Sequence, residues 1–194
     1  MNHYFTDNND LKSEIRTLNY TYENIKFTFL SDNGVFAKDK IDYGTILLIE
    51  TFLKNHKEKQ KEILDVGCGY GVIGIVISKI NDSFSDLIDI NKRCLHLSNR
   101  NILENKVNAN AFYSDVYSEV TKKYDYVLTN PPIRTGKDNV LNILLNAPIK
   151  ENGEIWTVIR KNHGAKSIIK ILENKYKVEI VEKSKGFYII KVKN

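Results

Sequence analysis

The chain has 194 residues, 42% hydrophobic and 27% charged, with a formal net charge of +5. That length fits one domain with a real core, the composition is not that of a disordered or fibrous chain, and no apolar run approaches the roughly 18 residues of a membrane span. Residues 121–194 carry 15 Lys and Arg against 7 Asp and Glu, while residues 1–120 carry 14 against 17, so the basic character is concentrated late in the chain, as a solvated face or as a surface for a polyanion.

From Arg16 to Leu30, apolar and β-favouring residues alternate on either side of Asn24, which predicts a β-hairpin. Asp42 is placed to cap a helix running to about His56, with Ile46, Leu47, Ile49, Phe52 and Leu53 as its apolar stripe. The chain then alternates: strand Glu62–Val66, helix Val72–Ile80, strand Asp86–Ile90, helix Asn91–Asn105, and strands near Ala109–Tyr113, Tyr124–Leu128 and Glu154–Ile159. Such alternation implies a mostly parallel sheet with helices on both faces. A helix Ala165–Lys175 precedes two runs, Tyr176–Val181 and Phe187–Val192, that read as an antiparallel hairpin at the sheet edge. The expected fold is therefore a doubly wound, seven-stranded, mostly parallel sheet with a carboxyl-terminal antiparallel hairpin and a short amino-terminal β extension.

Cys68 and Cys94 show no C-x-x-C spacing, and the four histidines show no metal spacing, so neither a disulfide framework nor a metal site is assigned. The sequence opens without the basic-then-apolar pattern of a secretory leader. A cytoplasmic location is expected, with no membrane association.

The strongest local signal is Ile63-Leu64-Asp65-Val66-Gly67-Cys68-Gly69-Tyr70-Gly71, a buried-strand run ending in alternate glycines before an apolar helix. Gly69 to Gly74 also satisfies G-x-G-x-x-G, and Asp89 lies near the offset of a ribose-binding acid, so a dinucleotide site must be weighed. Against it, a carboxylate at Asp65 would oppose a pyrophosphate but attract an ammonium or sulfonium. The strand also feeds into Gly67 and not Gly69. After Tyr124–Leu128 comes Asn130-Pro131-Pro132-Ile133. Two prolines stiffen this turn and leave carbonyls as its polar backbone groups, and Asn130 adds an amide oxygen. A rigid pair of acceptors suits an exocyclic amine, whose hydrogens it can hold while the lone pair is aimed at a methyl group.

The glycine turn resembles the first motif of class I methyltransferases, and Asn-Pro-Pro-aromatic is the signature of family members acting on planar nitrogens. Here Ile133 stands where the stacking aromatic is expected. The resemblance extends over nearly the whole chain to the methyltransferase small-domain family that contains the guanine-N(2) methyltransferases of small-subunit ribosomal RNA. It is carried by Gly34-Val35-Phe36, Asp42-Tyr43-Gly44-Thr45, the Asp65–Gly71 turn, Ser114-Asp115-Val116-Tyr117-Ser118 and Asn130 to Lys137.

The resemblance implies a single methyltransferase domain over 1–194, with 1–40 as the hairpin extension and 41–194 as the core, and S-adenosylmethionine as cofactor. It implies cofactor contacts at Asp65, Gly67, Cys68, Gly69, Gly71, Asp89, Ile90, Asp115, Val116, Asn130 and Phe36, with Asp89 at the ribose and Asp115 at the adenine amine. Asp89 and Asp115 can otherwise be read as plain turn caps. The catalytic turn is Asn130, Pro131, Pro132 and Ile133. Arg134, Lys137, Arg160 and Lys161, with His163 and Lys166, are expected to track phosphates around an extruded base. The expected partner is ribosomal RNA or the small ribosomal subunit, and a monomer is favoured. Glutamine side chains, adenine, and a non-catalytic RNA-binding assembly factor are the alternatives.

Overall fold

The structure, a computed structural model, describes residues 11–132 and 136–194. Ile133 and Arg134, singled out above, lie outside the described residues. The chain opens with strands β1 (Arg16–Tyr22) and β2 (Ile25–Ser31), an antiparallel pair closed by Glu23 and Asn24, both at positive φ, as a two-residue hairpin turn requires. Then follow α1 (Tyr43–Asn55), β3 (Glu62–Val66), α2 (Val72–Ile80), β4 (Phe84–Asp89), α3 (Lys92–Asn105), β5 (Ala109–Tyr113), β6 (Tyr124–Thr129), α4 (Lys137–Leu145), β7 (Ile149–Arg160), a 3-10 turn at Lys161–His163, α5 (Ala165–Leu172), β8 (Lys177–Ser184) and β9 (Phe187–Lys193).

Seven strands form one sheet in the order β5-β4-β3-β6-β7-β9-β8. The first five are parallel, and β9 lies antiparallel between β7 and β8. Two apolar cores sandwich the sheet. One contains Leu48, Ile49 and Phe52 of α1, Ile73, Val76 and Ile77 of α2 and Leu97 of α3; the other holds Val140, Ile143 and Leu144 of α4 with Ile168 and Leu172 of α5. This is the doubly wound arrangement, whose ligand crevice opens at the carboxyl ends of the strands where the order reverses between β3 and β6.

Two differences from the sequence reading have local causes. Helix α4 carries only a weak start signal: Gly136 precedes it at φ +100 with no side-chain cap, and Asp138 is the acid of its first turn. Strand β7 begins at Ile149 and not at Glu154, because the residues just before Glu154 are absorbed in a bulge. Tyr124 pairs with Ile149 but Tyr126 pairs with Glu154, so extra residues loop out of β7 without ending it.

The hairpin extension is built into the fold. Asn101 and Asn105, one turn apart on α3, each hydrogen-bond both backbone groups of a residue on β2: Leu30 N–H donates to Asn101 Oδ1 (2.7 Å) and Asn101 Nδ2 to Leu30 O (3.0 Å), while Asn105 pairs likewise with Thr28 (3.1 and 2.8 Å). The second edge of β2 is thereby satisfied. Asn101 Nδ2 also donates to Tyr70 O (2.8 Å), which ties the hairpin to the glycine turn.

Candidate functional site

A cavity of about 630 Å³ opens at the carboxyl ends of β3, β4, β5, β6 and β7, within the range of small-molecule sites. Its floor is the turn after β3. Gly67 N–H and Cys68 N–H both donate to Ile88 O (2.9 and 3.0 Å), and Gly69 N–H donates to Asp89 Oδ2 (2.9 Å), so the turn is laced to the end of β4. Gly71 is demanded at its position: φ is +92, and a Cβ there would lie 2.9 Å from Ile75 Cδ1 and from Leu87 Cδ2.

Asp89 lines the cavity. Burial raises its carboxyl to about 6, against the N–H groups of Asn91, Gly69 and Ile90, which lower it. At neutral pH it is an acceptor-only group in a largely water-excluded wall. Beyond β5, Asp115 is exposed at the cavity edge. Val116 beside it has φ +52, a left-handed conformation that a β-branched residue adopts only under constraint. Ser114 Oγ supplies part of that constraint, donating to Val116 O (2.9 Å) and accepting from Glu119 N–H (3.2 Å). Ile90 and Phe36 flank the opening; Phe36 is 46% exposed, which places it as a wall of the site and not as a core aromatic.

Asp65 departs from expectation. It is fully buried and does not line the cavity. Oδ2 accepts from Gly74 N–H (2.9 Å) beneath the turn, and Oδ1 has no hydrogen-bond partner among the described residues. Burial pushes the carboxyl up to about 7, the Gly74 N–H lowering it and Asp89 raising it further. Where a direct contact with a bound ammonium or sulfonium is expected from sequence, the structure places Asp65 under the turn, with Oδ2 on the Gly74 N–H of α2. Cys68 lines the cavity, but burial pushes its thiol up and so disfavours the thiolate.

On the opposite wall, Asn130, Pro131 and Pro132 follow β6. Asn130 Nδ2 donates to Thr45 Oγ1 (2.9 Å) and Asp42 Oδ2 (3.3 Å) at the start of α1, where Asp42 also accepts from Thr45 N–H (3.1 Å) as the helix cap. Arg160 and Phe187 complete this wall with His163. They are register partners across β7 and β9, and the Arg160 guanidinium lies 4.5 Å over the Phe187 ring. Phe187 was not found from sequence: it lies on a strand read as an edge hairpin, and no spacing links it to Asn130. Lys137 and Lys161 do not line the cavity. Lys137 is exposed, its Nζ donating to Ser167 Oγ (2.5 Å), and Lys161 is exposed on the 3-10 turn, so both sit on the outer rim.

A family model described as the methyltransferase small domain matches residues 26–191. The chain belongs to the methyltransferase small-domain family. Among relatives in this family, the uncharacterized protein YbxB of Bacillus subtilis is 42% identical over 98% of each chain. Ribosomal RNA small subunit methyltransferase C of Buchnera aphidicola is 34% identical, covering 90% of this chain and 51% of its own length. The chain spans about half the length of the relatives of that name that it matches over most of its own. Among solved structures, the T. thermophilus 16S rRNA N2 methyltransferase RsmC, in complex with AdoMet and guanosine, superposes with a TM-score of 0.85 at 20% identity, over 95% of this chain and 52% of that one. A ribosomal protein L11 methylase from Lactobacillus delbrueckii superposes with a TM-score of 0.69 at 17% identity, over 81% and 85%. Both share the fold.

Proposed function

We propose that this protein transfers a methyl group from S-adenosylmethionine to the exocyclic amine of a guanine in small-subunit ribosomal RNA. The observation that carries the proposal is the junction of two half-sites in one cavity: the glycine turn with Asp89 and Asp115 on one wall, and Asn130-Pro131-Pro132 on the other. Ribosomal RNA small subunit methyltransferases C among the relatives support the substrate class. No membrane-crossing helix is present among the described residues, in keeping with a proposed place beside the ribosome in the cytoplasm.

In this reading Asp89 accepts from the ribose hydroxyls, Asp115 and Val116 edge the adenine, and the open space beside Gly67 and Gly69 admits the ligand against the backbone, since a Cβ at either would meet nothing within 4 Å. S-adenosylmethionine supplies, when bound, an electrophilic methyl group on a positively charged sulfur. Asn130 Oδ1 and the Pro131 carbonyl accept the amine hydrogens and aim the nitrogen lone pair into the cavity, so that positioning supplies most of the rate. The exposed Arg160 guanidinium, backed by the buried Phe187 ring, offers a planar surface on the wall beside that turn, in place of the aromatic that Ile133 does not supply. Lys137, Lys161 and Lys166 on the rim meet phosphates.

The test is incubation of the protein with methyl-labelled S-adenosylmethionine and small subunits from cells lacking it, followed by nucleoside analysis. Label in N(2)-methylguanosine is the expected result. Label in another nucleoside or in protein glutamine replaces the substrate, and cofactor and RNA binding without any label supports the assembly-factor reading.

A further inference from the structure

Asn130 can serve an amine only if its carbonyl oxygen, not its NH2, faces the cavity, and an amide side chain has no intrinsic preference between the two orientations. We propose that Asp42 selects that orientation, that Thr45 holds the amide against it, and that both are positioning residues for methyl transfer. This rests on the amine-methylating reading above. Asn130 Nδ2 lies 2.9 Å from Thr45 Oγ1 and 3.3 Å from Asp42 Oδ2. Asp42 Oδ2 already accepts from Thr45 N–H, so turning the amide over would set Asn130 Oδ1 against it, oxygen against oxygen, and lose the bond to Asp42, whereas Thr45 Oγ1 can donate or accept. The NH2 group is therefore held away from the substrate, and Oδ1 is left to accept.

Each residue of Asp42-Tyr43-Gly44-Thr45 has a part in this device. Asp42 is held by capping α1 through Thr45 N–H (3.1 Å). Tyr43 packs its ring against Phe187 at 5.8 Å between centroids and shares a hydrogen bond with Ser184 Oγ (2.8 Å), which anchors the start of α1 to β8 and β9. Gly44 leaves the room: a Cβ there would lie 2.9 Å from Asp42 Oδ2 and 2.8 Å from Phe187 Cε1. The catalytic amide is thus oriented from a helix start 85 residues away in sequence.

Thr45→Val removes the hydroxyl and nearly keeps the shape. It is expected to lower kcat ten- to a hundredfold, with KM for RNA and the dissociation constant for S-adenosylmethionine within about twofold, and Thr45→Ser is expected to restore kcat. A purely structural role for Thr45 would move melting temperature and KM together and would not separate kcat from them. An unchanged kcat in Thr45→Val, beside a wild-type protein that methylates RNA, overturns the proposal and leaves the methyltransferase reading intact. The orientation is also read without turnover, by the side-chain amide resonance of Asn130 in 15N-asparagine-labelled free protein. Thr45→Val is expected to shift this resonance and speed its hydrogen exchange. A resonance indifferent to the substitution overturns the proposal, whatever the wild-type protein methylates.

Discussion

The two ends of the parallel sheet are built on opposite electrostatic terms. At the amino ends of the strands, charges are paired. Glu154 accepts from His56 Nε2 (2.9 Å) and Trp156 Nε1 (2.7 Å) and pairs with Lys193; burial alone would raise its carboxyl, but these partners hold it at about 2. Beside it Glu62, Asp86 and Asp125 share Lys122 and Lys150, and their lysines lower Glu62 and help to lower Asp125. At the carboxyl ends Asp65 and Asp89 have no salt-bridge partner among the described residues, and desolvation pushes Asp65 up to about 7 and Asp89 to about 6. One end pairs its charges across strands, while the other sets Asp89 in the cavity wall as an acceptor and keeps Asp65 beneath the turn. Perturbed groups of that kind mark functional sites.

The comparison is sharpest if substitutions in the cavity wall change rate without stability and those among the paired charges at the amino ends do the reverse, while Asp65, buried beneath the glycine turn, answers in stability alone. The largest expected effect is at Asn130: Asn130→Ala lowers methyl transfer by about 10²–10³-fold, with cofactor affinity and melting temperature little changed. Equal rates for the variant and the wild type remove Asn130 from catalysis.

Next comes Asp65. Its folded pKa is raised above the ordinary 3.8, so its stabilising contribution is complete below about pH 4 and is lost as pH climbs through about 7. Denaturant unfolding of the ligand-free protein should therefore show wild type losing ground to Asp65→Asn between pH 4 and 7, by up to about 4 kcal/mol. A constant difference across that window would mean that Asp65 does not titrate there.

Glu154 has the opposite sign. Its folded pKa lies below 4.5, so its contribution is present above that value and lost as pH falls towards about 2. Glu154→Gln should cost about 3 kcal/mol at pH 7, with the turnover of the folded fraction unchanged. A loss of kcat without a loss of stability would erase the division between the two ends.

The smallest effect sharpens the proposed RNA rim. Lys161→Ala should weaken RNA binding a few-fold and reduce its salt dependence by about one counterion, leaving cofactor affinity as it is.

How much of this was legible beforehand follows from where each signal lies. β3, α2 and β5 have the bounds read from sequence, because their apolar runs end at a glycine turn or at polar residues and need no distant partner to be recognised. Helix α4 escaped because it opens on an uncapped glycine and buries only Val140, Ile143 and Leu144. The loop read between the last two strands shrank to Lys185-Gly186 at positive φ; Glu182 and Lys183 are polar because they face solvent, not because the strand has ended. At the site, Asp89, Asp115 and Asn130 line the cavity as expected, each being a polar residue at or just beyond the carboxyl end of a strand. Asp65 shares that position but turns inward, and only the packing against α2 decides that. Phe187 and the grip of Thr45 on Asn130 were invisible, since each depends on a contact between segments remote in sequence.

The placement of β9 between β7 and β8 also sets an order in time. As the chain is synthesised, β3, β4, β6 and β7 can all be present while β7 still has a bare outer edge, and β8 emerges with no neighbour to receive it. Only when β9 arrives are both edges closed and Phe187 laid opposite Arg160. A growing chain therefore has the means to build the wall proposed for the methyl donor well before the wall proposed for the base.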